Sequence, residues 1–348
     1  YMKICLIADT HFGIKNDNLV FQKYFQKFNE EIFFPYIEDN NIKTVVHLGD
    51  LVDRRKFVNY VTLSNLRTDF ILQLHSHGID THVIVGNHDT YYRNTNRVNA
   101  ISELLGDLSF VSIYDKPEDV NIGGLDICMM PWICSENFDQ CMKVLRNTSS
   151  QVLMGHLELQ GFLMQKGVYS ESGLTKEDFK NFDVVYSGHF HYKSSLDSIC
   201  YLGSPYELSW ADFEVDKGFH IFDTETRELE FIKNPYRLFH KIYYDETIDY
   251  SNHDLSYYTD TYIKLLVKNK TDAYAFDKFL NRLYEVSPQD INVIEESELF
   301  FEGDESVYEA EDTLTILSKY VDGLSIDLDK SVLDGLLRNI YSEAADIA

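Results

Sequence analysis

The sequence has 348 residues, 44% of them hydrophobic, enough for one large domain and one or two small ones. No apolar run approaches the roughly 20 residues of a membrane span, and no basic-then-apolar leader opens the chain. The net charge of −26 is unexpected for a partner of nucleic acid, whose phosphates call for Lys and Arg. More than half of that excess lies in residues 236–348, which carry 24 acids against 10 bases. Cys5, Cys128, Cys134, Cys141 and Cys200 are scattered and form no Cys-x-x-Cys pair, which argues against a disulfide framework and against a thiolate zinc site. A reducing cytoplasm is the expected compartment.

Over the first two-thirds of the chain, short β-branched runs alternate with longer amphipathic ones. Residues 3–8, 44–48, 81–85, 151–154 and 184–186 read as buried strands. Residues 19–37 and 58–77 read as helices, with Pro35 set to end or kink the first; 98–105 and 136–146 read as shorter ones. This alternation predicts an α/β layered sheet. From about Gly218 the texture changes, and 218–223 and 228–232 read as paired strands around the polar turn Thr224-Glu225-Thr226-Arg227. Residues 261–267, 271–284 and 291–294 read as a small β-α-β module. The acidic stretch 296–312 reads as a linker, followed by two amphipathic helices near 313–321 and 329–345. The expected division is 1–216, 217–295, 296–312 and 313–348.

Five motifs follow predicted strands, where α/β sheets place their ligands. They are Asp9-x-His11, Gly49-Asp50-x-x-Asp53-Arg54, Gly86-Asn87-His88-Asp89, Gly155-His156 and Gly188-His189-x-His191. Singly, each has a plain explanation: His156 alone reads as a satisfied buried histidine, and Asp9-x-His11 is a common string. Together they form a set of oxygen and imidazole donors that chance does not assemble. An extended path through Asp9-x-His11 would point both side chains the same way. A glycine ahead of the key residue in four motifs suits turns where the backbone crowds the site. His47, His75, His77, His82, His220, His240 and His253 match no such pattern and read as structural.

The motif set resembles the calcineurin-like metallophosphoesterases over roughly residues 3–205. Within that superfamily it is most similar to the SbcD/Mre-eleven DNA-repair nucleases, nearest those of T-even-like bacteriophages. The residues that carry this are Ile84-Val85-Gly86-Asn87-His88-Asp89, Met130-Pro131-Trp132, Gly155-His156-Leu157-Glu158-Leu159 and Tyr201-Leu202-Gly203-Ser204-Pro205. The resemblance implies a four-layer α-β-β-α sandwich, a small α+β capping domain that recognises DNA, and C-terminal partner-binding helices. It implies that Asp9, His11 and His191 bind one divalent ion and that Asn87, His156 and His189 bind a second, with Asp50 bridging. Carboxylate, carboxamide and imidazole donors together suit manganese, with magnesium, zinc or iron as alternatives. His88 is then expected beside the ions, holding the phosphate and protonating the leaving 3′ oxygen; the alternative makes it a third ligand. Asp53, where some relatives carry histidine, is expected to fix the His88 ring and favour its protonated form.

The implied activity is a 3′-to-5′ exonuclease on duplex DNA with endonuclease action on single strands or hairpins, serving double-strand-break repair and recombination. Lys15, Arg54, Arg55, Lys56, Arg93, Arg97 and Lys193 follow the motifs closely and suggest a basic rim for backbone phosphates. Arg54, Arg55 and Arg93 stand foremost among them. Tyr91 and Tyr92 read either as a stacking platform for an unpaired base or as ordinary loop residues. A phosphoprotein or nucleotide phosphatase is the second reading, because Gly49-Asp50-Leu51-Val52-Asp53-Arg54 resembles the serine/threonine phosphatase motif. Against it, Val85 stands where those enzymes carry arginine. A non-catalytic scaffold is a third reading, disfavoured because no ligand position is degraded. The tail helices cannot bury their apolar faces alone. The resemblance has them docking on an SMC-like ABC ATPase of the Rad-fifty/SbcC type; the alternative folds them back on the capping domain. A homodimer through 58–77 and the segment after Arg93 is also implied.

Overall fold

The computed structural model describes residues 2–295 and, beyond them, only Val321, Lys330, Leu333 and Leu337, each of them helical. The expected linker 296–312 and the two tail helices otherwise lie outside the described residues. Two compact units divide the chain between Arg237 and Leu238.

The first unit opens with β1 (Lys3–Ile7), β2 (Thr44–His47), β3 (Asp80–Ile84), β4 (Thr90–Tyr92), β5 (Thr95–Asn99), β6 (Val111–Tyr114), β7 (Glu118–Ile122) and β8 (Leu125–Met130). It continues with β9 (Val152–His156), β10 (Leu163–Gln165), β11 (Val168–Tyr169), β12 (Val184–Gly188), β13 (Ser194–Leu196), β14 (Ile199–Tyr201), β15 (Gly218–Asp223) and β16 (Leu229–Lys233). Two six-stranded sheets result, ordered β16-β15-β1-β2-β3-β6 and β13-β14-β12-β9-β8-β7. The strands β1, β2, β3 and β6 are parallel, and so are β8, β9, β12 and β14. Parallel strands covered on both faces are written as unbroken apolar runs, which is why β1, β2, β3, β9 and β12 were legible, whereas β6, β8 and β14 were not among the expected strands.

The sheets close face to face. Ile4, Leu6, Ala8, Val46, Leu48 and Ile84 of one meet Ile127, Met129, Val152, Met154 and Tyr186 of the other in one core. Truncating such a fully buried Leu or Ile to Ala costs about 2–5 kcal/mol. On the far face of the second sheet, Cys128, Met130, Leu153 and Val185 pack with Cys141, Met142 and Leu145 of the helix Phe138–Asn147. On the far face of the first, Phe28 and Phe33 lie 6.2 and 5.1 Å from the Phe219 ring, and Phe33 lies 5.8 Å from Phe70. This is the expected α-β-β-α sandwich.

Several expectations are corrected. Of the two outcomes expected at Pro35, an end or a kink, the helix does not end there: the chain runs from Leu19–Phe28 through a π-helical turn, Asn29–Phe33, into Phe34–Asp39. A proline inside an α-helix removes an N–H and clashes with the carbonyl four residues back; here the wider turn comes first and Pro35 falls in the opening turn of the last segment. The helix expected over 98–105 begins only at Ala100, because Val98 belongs to β5 and Asn99 caps the helix by accepting from the Ser102 N–H. The boundary expected at 216/217 moves to 237/238. The hairpin β15–β16 does not start the second unit, since β15 pairs antiparallel with β1 and completes the first sheet.

In the second unit, β17 (Phe239–Asp245), β18 (Tyr262–Asn269) and β19 (Asp290–Glu295) form a parallel sheet. The helix Ala273–Glu285 buries Phe276, Phe279 and Leu283 against Ile242, Tyr244, Ile263 and Leu265. No described helix is long and apolar enough to cross a membrane.

Candidate metal centre

All five motifs lie where parallel strands of the two sheets end. The first two loops are zipped together by backbone hydrogen bonds from Asp9 N to Gly49 O (3.0 Å), His11 N to Asp50 O (3.1 Å) and Phe12 N to Leu51 O (2.9 Å). The third is held by Asp89, whose buried carboxylate accepts from the N–H groups of Gly86 (2.8 Å), Asp50 (2.9 Å) and Val52 (3.1 Å). Glycine is required where these loops touch. A Cβ on Gly86 would fall 2.3 Å from Asp50 Oδ1, one on Gly49 would fall 2.4 Å from His156 Nδ1, and one on Gly188 would fall 2.4 Å from Leu48 O.

The extended path expected through Asp9-x-His11 is not what forms. Asp9 (φ 55°), His11 (φ 44°), Asp50 (φ 54°) and His189 (φ 92°) all occupy positive φ, a region costly for residues with a Cβ. Such strain persists only where surrounding contacts enforce it, and it concentrates at functional sites. Here it falls on four candidate ligands.

Three donor groups result among the described residues: one is His11, Asp53 and His88, and the other two meet at Asp50. Asp9, His11 and His191 present ligand atoms within 4.8 Å of one another, as do Asp50, His156 and His189. His11 Nε2 faces His191 Nε2 at 3.0 Å. Asn87 Oδ1 lies 2.9 Å from both His156 Nε2 and His189 Nδ1. Asp50 Oδ2 sits between the clusters, 3.3 Å from His156 Nε2 and 3.8 Å from His11 Nε2.

The outer contacts fit divalent ions. Ligating histidines characteristically donate their other ring N–H to a carboxylate or a backbone carbonyl, which fixes tautomer and orientation. Here His11 Nδ1 donates to Asp53 Oδ1 (3.1 Å) and His156 Nδ1 donates to Leu48 O (2.8 Å), so in both rings Nε2 is the nitrogen turned toward the other candidate ligands. Burial works against charge on Asp50, but the imidazoles of His156, His88 and His11 hold its carboxyl well below the usual range. Burial pushes Asp9 up to about 6 despite its His156 neighbour. Burial likewise lowers His11 and His156, yet the surrounding carboxylates, Asp53 and Asp50 for the first and Asp50 and Asp9 for the second, lift both to about 9. Burial and the charge on His156 press His189 down to about 3. The carboxylates thus hold His11 and His156 toward the charged form, while His189 is held toward the neutral one.

His88 stands beside this set, its ring 4.8 Å from that of His11. Its backbone N–H donates to Asp50 Oδ1 at 2.7 Å, and its Nδ1 donates to the Asp53 carbonyl oxygen at 2.6 Å. Asp53 therefore holds His88 through its main chain and spends its carboxylate on His11, not on the His88 ring as expected.

The calcineurin-like phosphoesterase family matches residues 2–193. The chain belongs to that family. Calcineurin-like phosphoesterases work with divalent metals, and this member is a metal-dependent phosphoesterase. It is 32% identical over 352 residues to exonuclease subunit 1 of Enterobacteria phage T4, covering 99% of both chains. It is 30% identical over 105 residues to the SbcD component of the SbcCD nuclease of Staphylococcus epidermidis, 27% of each. Among solved structures, an archaeal phosphodiesterase is 18% identical, covers 67% of this chain and 100% of its own, and has a TM-score of 0.34.

The expected basic rim is brought together only in part. Arg54 is ion-paired with Asp17 and lies 4.4 Å from the Phe57 ring, so its guanidinium ties loops together. Arg55 is half-buried. Arg93 is exposed between β4 and β5, next to exposed Tyr91 and Tyr92, whose rings meet edge to face at 4.7 Å. Lys193 is exposed, its Nζ 3.5 Å from the Phe231 ring. Three contributors escaped the sequence reading. Asp89 had a signal, being the last residue of Gly-Asn-His-Asp. Trp132, whose ring lies 5.1 Å from that of His189, appeared only within a resemblance. Asp17 had no local signal at all.

Proposed function

We propose that this chain is a two-metal DNA nuclease, a 3′-to-5′ exonuclease on duplex DNA that also cuts single-stranded or hairpin DNA endonucleolytically, serving double-strand-break repair and recombination. The observation that carries the reading is a pair of donor clusters meeting at Asp50, on a chain 32% identical along its length to a phage exonuclease subunit. Asp9, His11 and His191 would hold one ion and Asn87, His156 and His189 the other, with Asp50 between them. Manganese suits this donor mixture best; magnesium, zinc and iron are the other candidates. When bound, such ions supply positive charge at the phosphoryl oxygens and a nucleophile from water at neutral pH.

The chain's own side chains do the rest. Asp53 and the Leu48 carbonyl orient His11 and His156. With Nδ1 of His88 spent on the Asp53 carbonyl, Nε2 is the nitrogen that can hold the phosphate and hand a proton to the leaving 3′ oxygen. Arg93 grips a backbone phosphate, Tyr91 and Tyr92 stack on an unpaired base, and Arg55 and Lys193 extend the same basic surface. The helical spacing of Leu314, Leu317 and Val321, then Val332, Leu336 and Ile340, supports reading 313–348 as the docking segment for an SMC-like ABC ATPase of the Rad-fifty/SbcC type. A partner that holds DNA reconciles nuclease chemistry with a net charge of −26. A homodimer in the cytoplasm completes the reading.

Hydrolysis of bis(p-nitrophenyl) phosphate and of p-nitrophenyl phosphate, beside 3′-labelled duplex DNA with Mn2+, tests it. The diester is hydrolysed faster and the 3′ label is released first; preference for the monoester makes the protein a phosphatase instead. Deleting 310–348 abolishes co-purification with the ATPase and spares Mn2+-dependent cleavage of short DNA.

A further inference from the structure

His191 closes the fifth motif, and its ring can face His11 only if its backbone is held in place. Its carbonyl oxygen accepts from Lys217 Nζ at 2.8 Å and from Ser204 N at 3.2 Å. The same ammonium donates to Ser204 Oγ at 2.9 Å and pairs with Asp212 Oδ1 at 2.6 Å. The other oxygen of Asp212 accepts from the N–H groups of Leu208 (2.8 Å) and Ser209 (3.1 Å). Gly203, at φ 74°, completes the seat: a Cβ there would fall 3.0 Å from His191 O and 2.9 Å from Lys193 N. The run Tyr201-Leu202-Gly203-Ser204-Pro205, which the ligand set and the phosphate chemistry leave unused, is thus the floor under His191.

The side chains of Lys217 and Asp212 are only 2% and 3% exposed. Taking both charges out of water costs several kcal/mol per ion, and an apolar pair of similar volume often folds as well or better. Stability alone therefore does not account for the pair. All three N–H donors of the ammonium are spent, on Asp212, Ser204 and His191, so Lys217 has none left for a substrate phosphate. What remains is geometry, since a metal donor must stand within about 0.2 Å of its proper bond length.

We propose that Lys217, with Asp212 as counter-charge and Gly203-Ser204 as its seat, is a positioning residue that holds His191 opposite His11 and so fixes one of the two ion sites selectively. The inference rests on the two-ion reading given above. Lys217→Met keeps the stem and removes the ammonium. Because it leaves Asp212 unpaired, Lys217→Met/Asp212→Asn is tested beside it; the Asn oxygen can still accept from Leu208 and Ser209. Full-length protein is titrated with Mn2+ by calorimetry and by electron paramagnetic resonance, with far-UV circular dichroism as the folding control. One Mn2+ binds as in the unsubstituted protein and the other binds about 10–100-fold more weakly. The exchange-coupled two-ion spectrum gives way to the six-line spectrum of an isolated ion. A lower Tm with both binding steps intact, or equal weakening of both, overturns the proposal. If the unsubstituted protein binds fewer than two Mn2+, the two-ion reading fails and takes this inference with it. If it binds two and the double variant binds two equally well, only the role of Lys217 is refuted.

Discussion

Gly86→Ala is a small change with a calculable effect. The φ of Gly86 is not positive, so alanine meets no left-handed strain there and the consequence argued is steric. The new Cβ would lie 2.3 Å from both the N and Oδ1 of Asp50, where ordinary contact begins near 3.4 Å. Asp50 cannot rotate away cheaply, because its Oδ1 accepts from His88 N at 2.7 Å and its own N–H is bound by Asp89. The loop must therefore yield by about 1 Å, a misplacement that can cost on the order of 100-fold in rate, while overpacking costs about 1–3 kcal/mol of stability. Hydrolysis of bis(p-nitrophenyl) phosphate under saturating Mn2+ and urea unfolding measure the two effects. Gly78→Ala is the control: nothing lies within 4 Å of its Cβ, but φ is +66°. It loses about 1–2 kcal/mol to left-handed strain and no activity. If Gly86→Ala keeps kcat within threefold, the proposed placement of Asp50 at the reacting centre is wrong.

Asp53→Ala removes a carboxylate from His11 but leaves the main-chain bond to His88, so Mn2+ affinity falls about 10–100-fold. Unchanged affinity with a reduced kcat would return the carboxylate to His88. Arg93→Glu weakens DNA binding and leaves the small diester unaffected; equal loss on both substrates removes Arg93 from the DNA surface. Burial holds His220 near 3 against its ordinary 6.5, so the folded protein resists the proton that the unfolded chain accepts. This contribution is present above pH 6.5 and lost as pH falls, about 2 kcal/mol by pH 5 at 1.4 kcal/mol per unit. Urea unfolding at pH 7.5 and 5 should show a shallower pH dependence for His220→Leu, and identical slopes would exclude His220 as a source of acid sensitivity.

The strands leading into the motifs were readable because they are buried on both faces, which leaves an uninterrupted apolar run followed by an abrupt polar loop. The antiparallel strands were harder. Glu118–Ile122 is largely exposed and was not among the expected strands, and the hairpin from Gly218 to Lys233 looked like the start of a new unit because the pairing of its first strand with Lys3–Ile7 spans more than 200 residues. The stretch around Asp9 misled in another way. Its local pattern favours extended backbone, whereas in the fold Asp9 and His11 take positive φ while their N–H groups bond to Gly49 and Asp50 of a distant loop.

By itself the sequence determined the kind of chemistry, since donor type and the glycine ahead of the key residue in four of the five motifs are written in short local strings. Tertiary structure decided which donors face each other and what each carboxylate serves: that Asp53 belongs to His11, that Arg54 is tied to Asp17, and that a buried lysine 26 residues downstream supports His191. Those assignments depend on distances between loops far apart in the chain, and a distance set by packing leaves no periodicity or motif to read.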